Sequence, residues 1–313
     1  MVRPIVLWSD GLIFLLVLAI LAMFRLVKTN PQTTAKWRQV FSTKLGCSTF
    51  MVIAIYVFIA LLDSLHFQKP LPTTAADEKV YFSSEVLSVL DWIHEDMRVN
   101  KEKTYSAPFA LHSFAKENMR NADGSLYRDH PRLLHGGIHL HDANDRWLDI
   151  CKRSLVAFLK GGFFAFAIIL LVAKVFRLTS MEADLPTGTI YTVVCITSIV
   201  YAWILELGSV YHIMGTDKVG ADVLYQSIKS IRTGVLIGAF ATLLSLPFAI
   251  GLGISAGYFK GRVDDLVQYI YTTLSSIPDI LLIAAAVLVI DVYIENLGSE
   301  RYIECTSGLI ADN

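Results

Sequence analysis

The chain alternates between long apolar runs and polar stretches. Six blocks are apolar over most of their length, approximately 11–27, 46–62, 155–176, 188–207, 234–258 and 277–294. A helix needs roughly 20 apolar residues to cross about 30 Å of hydrocarbon. The pattern predicts an all-α polytopic membrane protein with about six transmembrane helices and a mainly helical or irregular segment outside the membrane. The first block follows only one basic residue, Arg3, and an acid, Asp10, and no small-x-small site follows it. It reads as a span rather than a cleaved leader.

The largest polar stretch is 64–153. In "FSSEVLSVLDWIHEDMRV" the residues Val86, Leu90, Ile93 and Met97 fall on one helical face, with Ser83 or Ser84 as cap. "SAPFALHSFAKENMR" predicts a second helix, started by Ser106 with Pro108 in its first turn. The remainder, rich in Gly, Asp, Asn and His, reads as loop. A second polar stretch, "HIMGTDKVGADVLYQSIKSIRTG", separates the fourth and fifth apolar blocks. Gly215 and Gly220 permit tight turns, and Thr216 and Asp217 can fold back on backbone amides. Beyond them Leu224, Ile228, Ile231 and Val235 repeat at helical spacing, with Asp222 as cap. This predicts a rigid turn and a helix lying along the membrane face, which then turns in as the fifth span.

Composition agrees with lipid exposure. Of 313 residues 54% are hydrophobic and 18% charged, whereas a soluble domain has about 25% charged residues. The net charge of −1 gives no overall field for nucleic acid. Charge distribution says more. Between the first two spans lie Arg25, Lys28, Lys36, Arg38 and Lys44 with no acid. Short basic loops stay in the cytoplasm, so the N-terminus, segment 64–153 and the 212–234 stretch are expected outside, and 174–186 and 259–273 inside. Asp63 and Glu206 sit at span ends where water can reach them. Lys160 can extend its stem to the outer interface. Cys47 and Cys195 read as apolar fillers, while Cys151 and Cys305 would share the oxidising side with no spacing that argues for a disulfide.

Few residues suggest chemistry. His135, His139 and His141, with Asp142, have metal-ligating side chains, but a loop does not fix their geometry, and scattered surface histidines are the simpler reading. Gly234 with Gly238, and Gly253 with Gly257, are pairs spaced to let helices pack closely in lipid. Pro247 removes a hydrogen bond inside the fifth span, and Pro278 opens the sixth. No nucleophile elbow, phosphate loop or paired-carboxylate arrangement is present. "GLGISAG" is no dinucleotide fingerprint, because no strand precedes it.

"HIMGTDKVGADVL" resembles the H-x-L-G-T-D-x-x-G-R-D-V-L signature of the C-type permease subunits of dipeptide, oligopeptide and nickel ABC importers. His212, Gly215, Thr216, Asp217, Gly220, Asp222, Val223 and Leu224 match, while Met214 and Ala221 depart from it. The similarity continues through Ala256, Gly257, Tyr258, Gly261, Asp264 and Pro278 to about residue 295. The resemblance implies two N-terminal spans with a basic loop (1–63), an inserted extracytoplasmic segment (64–153), a membrane hairpin (154–208), the N-terminal half of a permease core (209–295) and a tail (296–313).

By the same resemblance the chain is a non-enzymatic subunit of a bacterial inner-membrane importer for peptides or a related small solute. Its implied partners are a second permease subunit, two cytoplasmic ATPase subunits that consume ATP, and an extracytoplasmic solute-binding protein. No cofactor of its own is implied. The family's E-A-A-type loop, which docks the ATPase, has no counterpart before Asn313, so the sequence reads as a truncated permease. Two other readings compete: a membrane-anchored binding or sensory protein working through 64–153, and a membrane metalloenzyme built on the three histidines.

Overall fold

The computed structural model describes residues 3–70, 81–121, 123–140, 142–179 and 185–311, with 143, 175, 177–179 and 297–311 described by backbone alone. The chain divides into two compact units, 1–239 and 240–313.

The first unit begins with strand β1 (Arg3–Ile5) and helix α1 (Trp8–Thr29). Asp10 closes the first turn of α1 by accepting from the Leu7 amide at 2.8 Å. An elbow at Asn30 leads to the short helix α2 (Pro31–Ser42), then to α3 (Lys44–Ser64), whose N-cap Thr43 accepts from the Gly46 amide at 3.1 Å. Strand β2 (His66–Gln68) follows and pairs antiparallel with β1, in the register Arg3↔Gln68 and Ile5↔His66. This pairing places the start of α1 and the end of α3 side by side, on the side that carries the polar segment.

The polar segment is less helical than its sequence suggests. Strand β3 (Leu87–Ser88) completes a three-stranded sheet in the order β1-β2-β3. The predicted amphipathic helix is cut to two short pieces, α4 (Val89–Ile93) and α5 (Glu95–Val99). Its cap is Ser88, in a reciprocal box with Asp91, and not Ser83 or Ser84. Leu90 and Met97 are buried as the periodicity requires, but Ile93 is exposed. The predicted second helix does not form. Phe109 takes a positive φ of 54°, and the chain instead makes bridges and a hairpin of β4 (Glu117–Arg120) and β5 (Leu126–Asp129). The reason is local competition: the amide of Phe109 is taken by the carbonyl of His212, and that of Phe114 by Tyr105.

Helix α6 (Arg146–Thr179) starts nine residues before the apolar block and returns as α7 (Thr187–Gly208). Their contact is close. A Cβ at Gly161 would stand 2.8 Å from the Ile199 Cα and 3.1 Å from the Ala202 Cβ, and Ala157 and Ala165 on the same stripe are buried. Trp203 Nε1 donates to Ser154 at 3.0 Å, and Lys160 pairs with Glu206 at 2.6 Å. Thus Lys160 does not simply snorkel: it crosses to the neighbouring helix. Ala157, Gly161 and Ala165 thus form a packed small-residue stripe, while a Cβ at Gly234, Gly253 or Gly257 would meet no described atom of this chain within 4 Å, which leaves room there for lipid or another helix. Gly161→Leu is expected to force the hairpin apart at a cost of about 1–3 kcal/mol or more, read as a lower unfolding midpoint in detergent. A midpoint equal to that of the unchanged protein would contradict this packing.

The apolar core lies where polar segment and hairpin meet. It comprises Leu111, Leu140, Ile150, Leu207, Tyr211 and Ile213, with Phe109, Trp203, Val210 and Leu224 packed against them. Away from it the spans are bare. No more than 17% of the apolar window of α1, α3, α6, α7 or α8 is buried within the chain. Those side chains therefore require lipid or other membrane helices around them.

Helix α8 (Val223–Phe259) is continuous, including through Pro247. The expected surface helix that then turns into the membrane is instead the first part of this 37-residue helix. In the second unit, the expected inner loop is largely the amphipathic helix α9 (Arg262–Ser275), after a turn in which Lys260 and Gly261 take positive φ. Helix α10 (Asp279–Ala311) begins behind Pro278, and α9 and α10 are bent by 85° at the break between them. Among the described residues there are thus five helices long and apolar enough to span a membrane, or six if this bent pair is one span.

Candidate functional site

The glycine-rich turn before α8 folds on itself. The Asp217 carboxylate accepts from the Val219 and Ala221 amides, both at 2.9 Å, and from the Gln226 side chain at 2.9 Å. Gly215 (φ 77°) and Gly220 (φ 73°) supply the left-handed conformations. Asp222 caps α8 by accepting from the Tyr225 amide at 3.0 Å, and its second oxygen accepts from His212 Nδ1 at 2.8 Å. The expected cap is therefore present, and it also holds the turn's first residue to its last.

The same turn is clamped to the polar segment. Glu102 donates its amide to the Gly220 carbonyl at 2.9 Å, and the Phe109 amide donates to the His212 carbonyl at 3.0 Å. Thr216 Oγ1 donates to the Thr104 carbonyl at 2.8 Å. A Cβ on Gly220 would fall 1.7 Å from the Glu102 carbonyl oxygen, and one on Gly215 2.2 Å from that of Ser106. Both glycines thus serve two ends, a positive φ and a close backbone approach. His212, Thr216 and Asp222 are 4%, 3% and 1% exposed, and Glu102 only 6%.

Glu102 organises the far side of the clamp. Its carboxylate accepts from the amides of Leu134, His135 and Gly136 at 2.7, 2.7 and 3.0 Å. His212 Nε2 lies 3.4 Å away, an ionic neighbour rather than a well-formed hydrogen bond. Burial pushes the Glu102 carboxyl up, but His212 and the three amides outweigh it and bring it to about 2. Burial pushes the His212 imidazole down, and Asp222 with Glu102 outweigh it, to about 9. The imidazolium is thus held between two buried carboxylates.

The His212 contribution is fully present below about 6.5, its ordinary value, and is lost as pH rises through about 9. The Glu102 contribution is present above about 4.5 and is lost as pH falls through about 2. Docking of the turn is therefore expected to be firmest between about pH 4.5 and 6.5. It should weaken toward pH 9 by on the order of 2–3 kcal/mol, read as a falling unfolding midpoint. His212→Asn keeps a donor toward Asp222 but cannot titrate, so its profile should be flat across pH 6.5–9. An unchanged slope in that variant would remove His212 as the cause.

Beside the clamp, the first turns of α8 carry a row of polar side chains at i, i+4 and i+7. Tyr225 donates to Asp91 at 2.6 Å, and Lys229 contacts both oxygens of Asp91 at 2.7 and 2.9 Å. These two contacts outweigh the upward push of burial and leave the Asp91 carboxyl below its ordinary value. Arg232 pairs with Asp10 of α1 and lies 3.9 Å from Asp63 of α3. Asp10 also receives His66 at 2.9 Å, and Asp63 receives Ser88 at 2.8 Å. Asp63 is 1% exposed, so it does not reach water as its position suggests, because the polar segment closes over the end of α3. A separate cluster seats Asp149 against Tyr211 (2.7 Å), His139 (2.8 Å) and Arg153 (2.9 Å). Burial and this carboxylate raise the Tyr211 phenol above its ordinary range.

His135 contributes its amide to Glu102, His139 pairs with Asp149, and His141 lies outside the described residues. Among the described residues no group of three or more His, Cys, Asp or Glu is arranged to hold a metal. Cys151 is an exposed free thiol, and the side chain of Cys305 lies outside the description.

The chain is 32% identical over 95 residues to the dipeptide transport system permease protein DppC of Haemophilus influenzae, covering 30% of this chain and 32% of the relative. A segment of this chain is homologous to peptide-transport permeases. The di/tripeptide transport system permease protein DppC of Pseudomonas aeruginosa is 33% identical over 86 residues, 28% of either chain. The glutathione transport system permease protein GsiD of Pectobacterium atrosepticum is 31% identical over 78 residues, 25% of this chain and 26% of the relative. The chain thus aligns with about a third or less of the length of the curated relatives it matches. No family model matches it, and no solved structure does.

Of the residues that matter at this site, the sequence pointed to the turn but missed Glu102, Asp91, Asp10, Arg232 and Lys229. The polar row Tyr225, Lys229, Arg232 was the available signal, a second helical stripe beside the apolar one.

Proposed function

We propose that this chain is a membrane-spanning permease subunit of an ABC importer for peptides or a related small solute, without an ATPase site of its own. The observation that carries this reading is the similarity to peptide- and glutathione-transport permease proteins. The helices with lipid-requiring surfaces support it. In this reading ATP is hydrolysed by two partner subunits on the cytoplasmic side, a second permease subunit completes the pathway, and an extracytoplasmic solute-binding protein delivers the solute. The subunit lies in a bacterial inner membrane with its N-terminus outside. The clamped turn then fixes where α8 begins at the outer face, so that the helix keeps its register against α1 and α3.

Affinity purification of the full tagged chain from its native membranes in mild detergent tests the assignment. Recovery with a second permease subunit is expected; recovery of the chain without any permease partner would sink it and favour a membrane-anchored binding protein. Sidedness is checked separately by thiol labelling. With Cys47, Cys195 and Cys305 changed to serine, a membrane-impermeant maleimide should label Cys151 in intact spheroplasts. Labelling only after lysis would invert the topology.

A further inference from the structure

The short helices α4 and α5 lie beside the ends of two spans rather than above them. Ser88, the cap of α4, donates to Asp63 in the last turn of α3 at 2.8 Å, and the Val89 amide donates to the Leu65 carbonyl at 3.0 Å. Further along, the His94 ring meets Tyr201 of α7 edge-on, with centroids 5.8 Å apart. Helix α7 continues beyond Tyr201 to Gly208, so this contact lies about 10 Å inside its end at 1.5 Å of rise per residue. Met97 then reaches the end itself, since a Cβ on Gly208 would stand 1.6 Å from the Met97 Cε. Leu90, Asp91, His94 and Met97 are all buried on this inward face.

The outward face is mostly apolar and open. Its exposed residues are Trp92, Ile93, Asp96 and Val99, and the three apolar ones are 60%, 37% and 57% exposed. They stand beside the last turn of α3 and the end of α7, where a span passes from hydrocarbon to headgroups. Tryptophan suits that boundary, because its ring is apolar and its N–H can reach the polar layer. Trp8, 97% exposed at the first residue of α1, carries the aromatic edge onward, and the β1–β2 pairing holds the start of α1 beside the end of α3. The charged residue of the outward face, Asp96, is an acid, so this face has no basic side chain to draw it to an anionic surface. Apolar contact at the edge of a bilayer is what it can offer.

We propose that α4 and α5 form an interfacial element, seated in the boundary layer of the leaflet at which α3 ends, with Trp92, Ile93 and Val99 against lipid. By the basic-loop rule that leaflet is the outer one. This accounts for the exposure of Ile93, which helical spacing alone would turn inward: it faces lipid and not the core. The seat gives the polar segment a fixed height at the bilayer. Through Asp91, which holds Tyr225 and Lys229, it sets the height at which α8 begins. The inference requires that α3 and α7 cross a membrane, and it stands whether or not the chain is a transporter subunit.

Spin labelling of the full chain in phosphatidylcholine vesicles tests this. With Cys47, Cys151, Cys195 and Cys305 changed to serine, a nitroxide is attached at Ile93→Cys or at Val99→Cys. Asp123→Cys, in the exposed turn of the β4–β5 hairpin, serves as the aqueous reference. Power saturation is read with dissolved oxygen, which concentrates in lipid, and with a neutral nickel chelate, which stays in water. The ratio of oxygen to nickel accessibility is expected to be several-fold higher at positions 93 and 99 than at 123, with circular dichroism unchanged from that of the cysteine-free chain. A ratio equal to that at 123 would place the outward face in water. Protection from both reagents would mean that a partner protein or a second copy covers it. Either result would overturn the proposal.

Discussion

Gly220→Val is expected to release the polar segment from the turn that precedes α8. The new Cβ would have to occupy the position of the Glu102 carbonyl oxygen, 1.7 Å away, and neither atom is the end of a flexible side chain. The β-branched residue would also have to hold a φ of 73°, which costs about 1–2 kcal/mol by itself. Moving the backbone to relieve the clash breaks the Glu102 amide bond to the Gly220 carbonyl and draws Glu102 away from His212. Together we expect a loss of about 3–5 kcal/mol, combining backbone strain, overpacking and a weakened buried ion pair. Limited proteolysis of the detergent-solubilised chain should then cut within 100–135 at protease levels that leave the unchanged chain intact. Resistance equal to that of the unchanged protein would show that the close approach at Gly220 does not hold this segment. Gly220→Ala should give the same direction with a smaller loss, since one methyl group meets the same oxygen without the branched side chain.

Removing the charge of Arg232 is the second large effect. Arg232 is the cation that faces Asp10 and Asp63 at once, and both carboxylates are almost fully buried. Breaking a buried pair from one side strands the remaining charge, at a cost of about 3–5 kcal/mol. Arg232→Met, which keeps much of the side-chain volume, should therefore strongly lower the unfolding midpoint and loosen α8 from α1 and α3. The mechanism makes a second, sharper demand. If the cost comes from stranded charge and not from lost packing, then Arg232→Met/Asp10→Asn/Asp63→Asn should recover a substantial part of the stability lost in the single variant. A triple variant that loses stability in proportion to the number of changes would refute the electrostatic account. Because the groups form one network, such energies do not add.

The two effects act on neighbouring parts of one junction. Gly220 and Glu102 secure the turn; Tyr225, Lys229 and Arg232 secure the first three turns of the helix that follows. Their partners come from the polar segment (Asp91), from α1 (Asp10) and from α3 (Asp63), so the start of α8 is tied to three parts of the chain distant in sequence. In the proposed transport role, loosening either tie should change how α8 is held at the membrane surface before any residue of a solute pathway is touched.

The sequence by itself determined the all-α membrane class, the presence of several apolar helices, the turn at Gly215 and Gly220, and the Asp222 cap. These are local properties. Apolar length measures the hydrocarbon crossed, and a cap or a positive-φ glycine acts within a few residues. Tertiary structure decided the rest. The predicted helix from Ser106 gave way to bridges and a hairpin strand because the Phe109 and Phe114 amides go to the carbonyls of His212 and Tyr105, partners that helical spacing does not reveal. The small-residue stripe that packs within the hairpin, Ala157–Gly161–Ala165, was not singled out by its sequence, since close packing depends on which helix stands opposite. Asp63, at the end of a span, became buried only because Ser88 and Arg232 were brought to it from 25 and 169 positions away. A charge in a sequence carries its sign with it, but its burial and its partner belong to the fold.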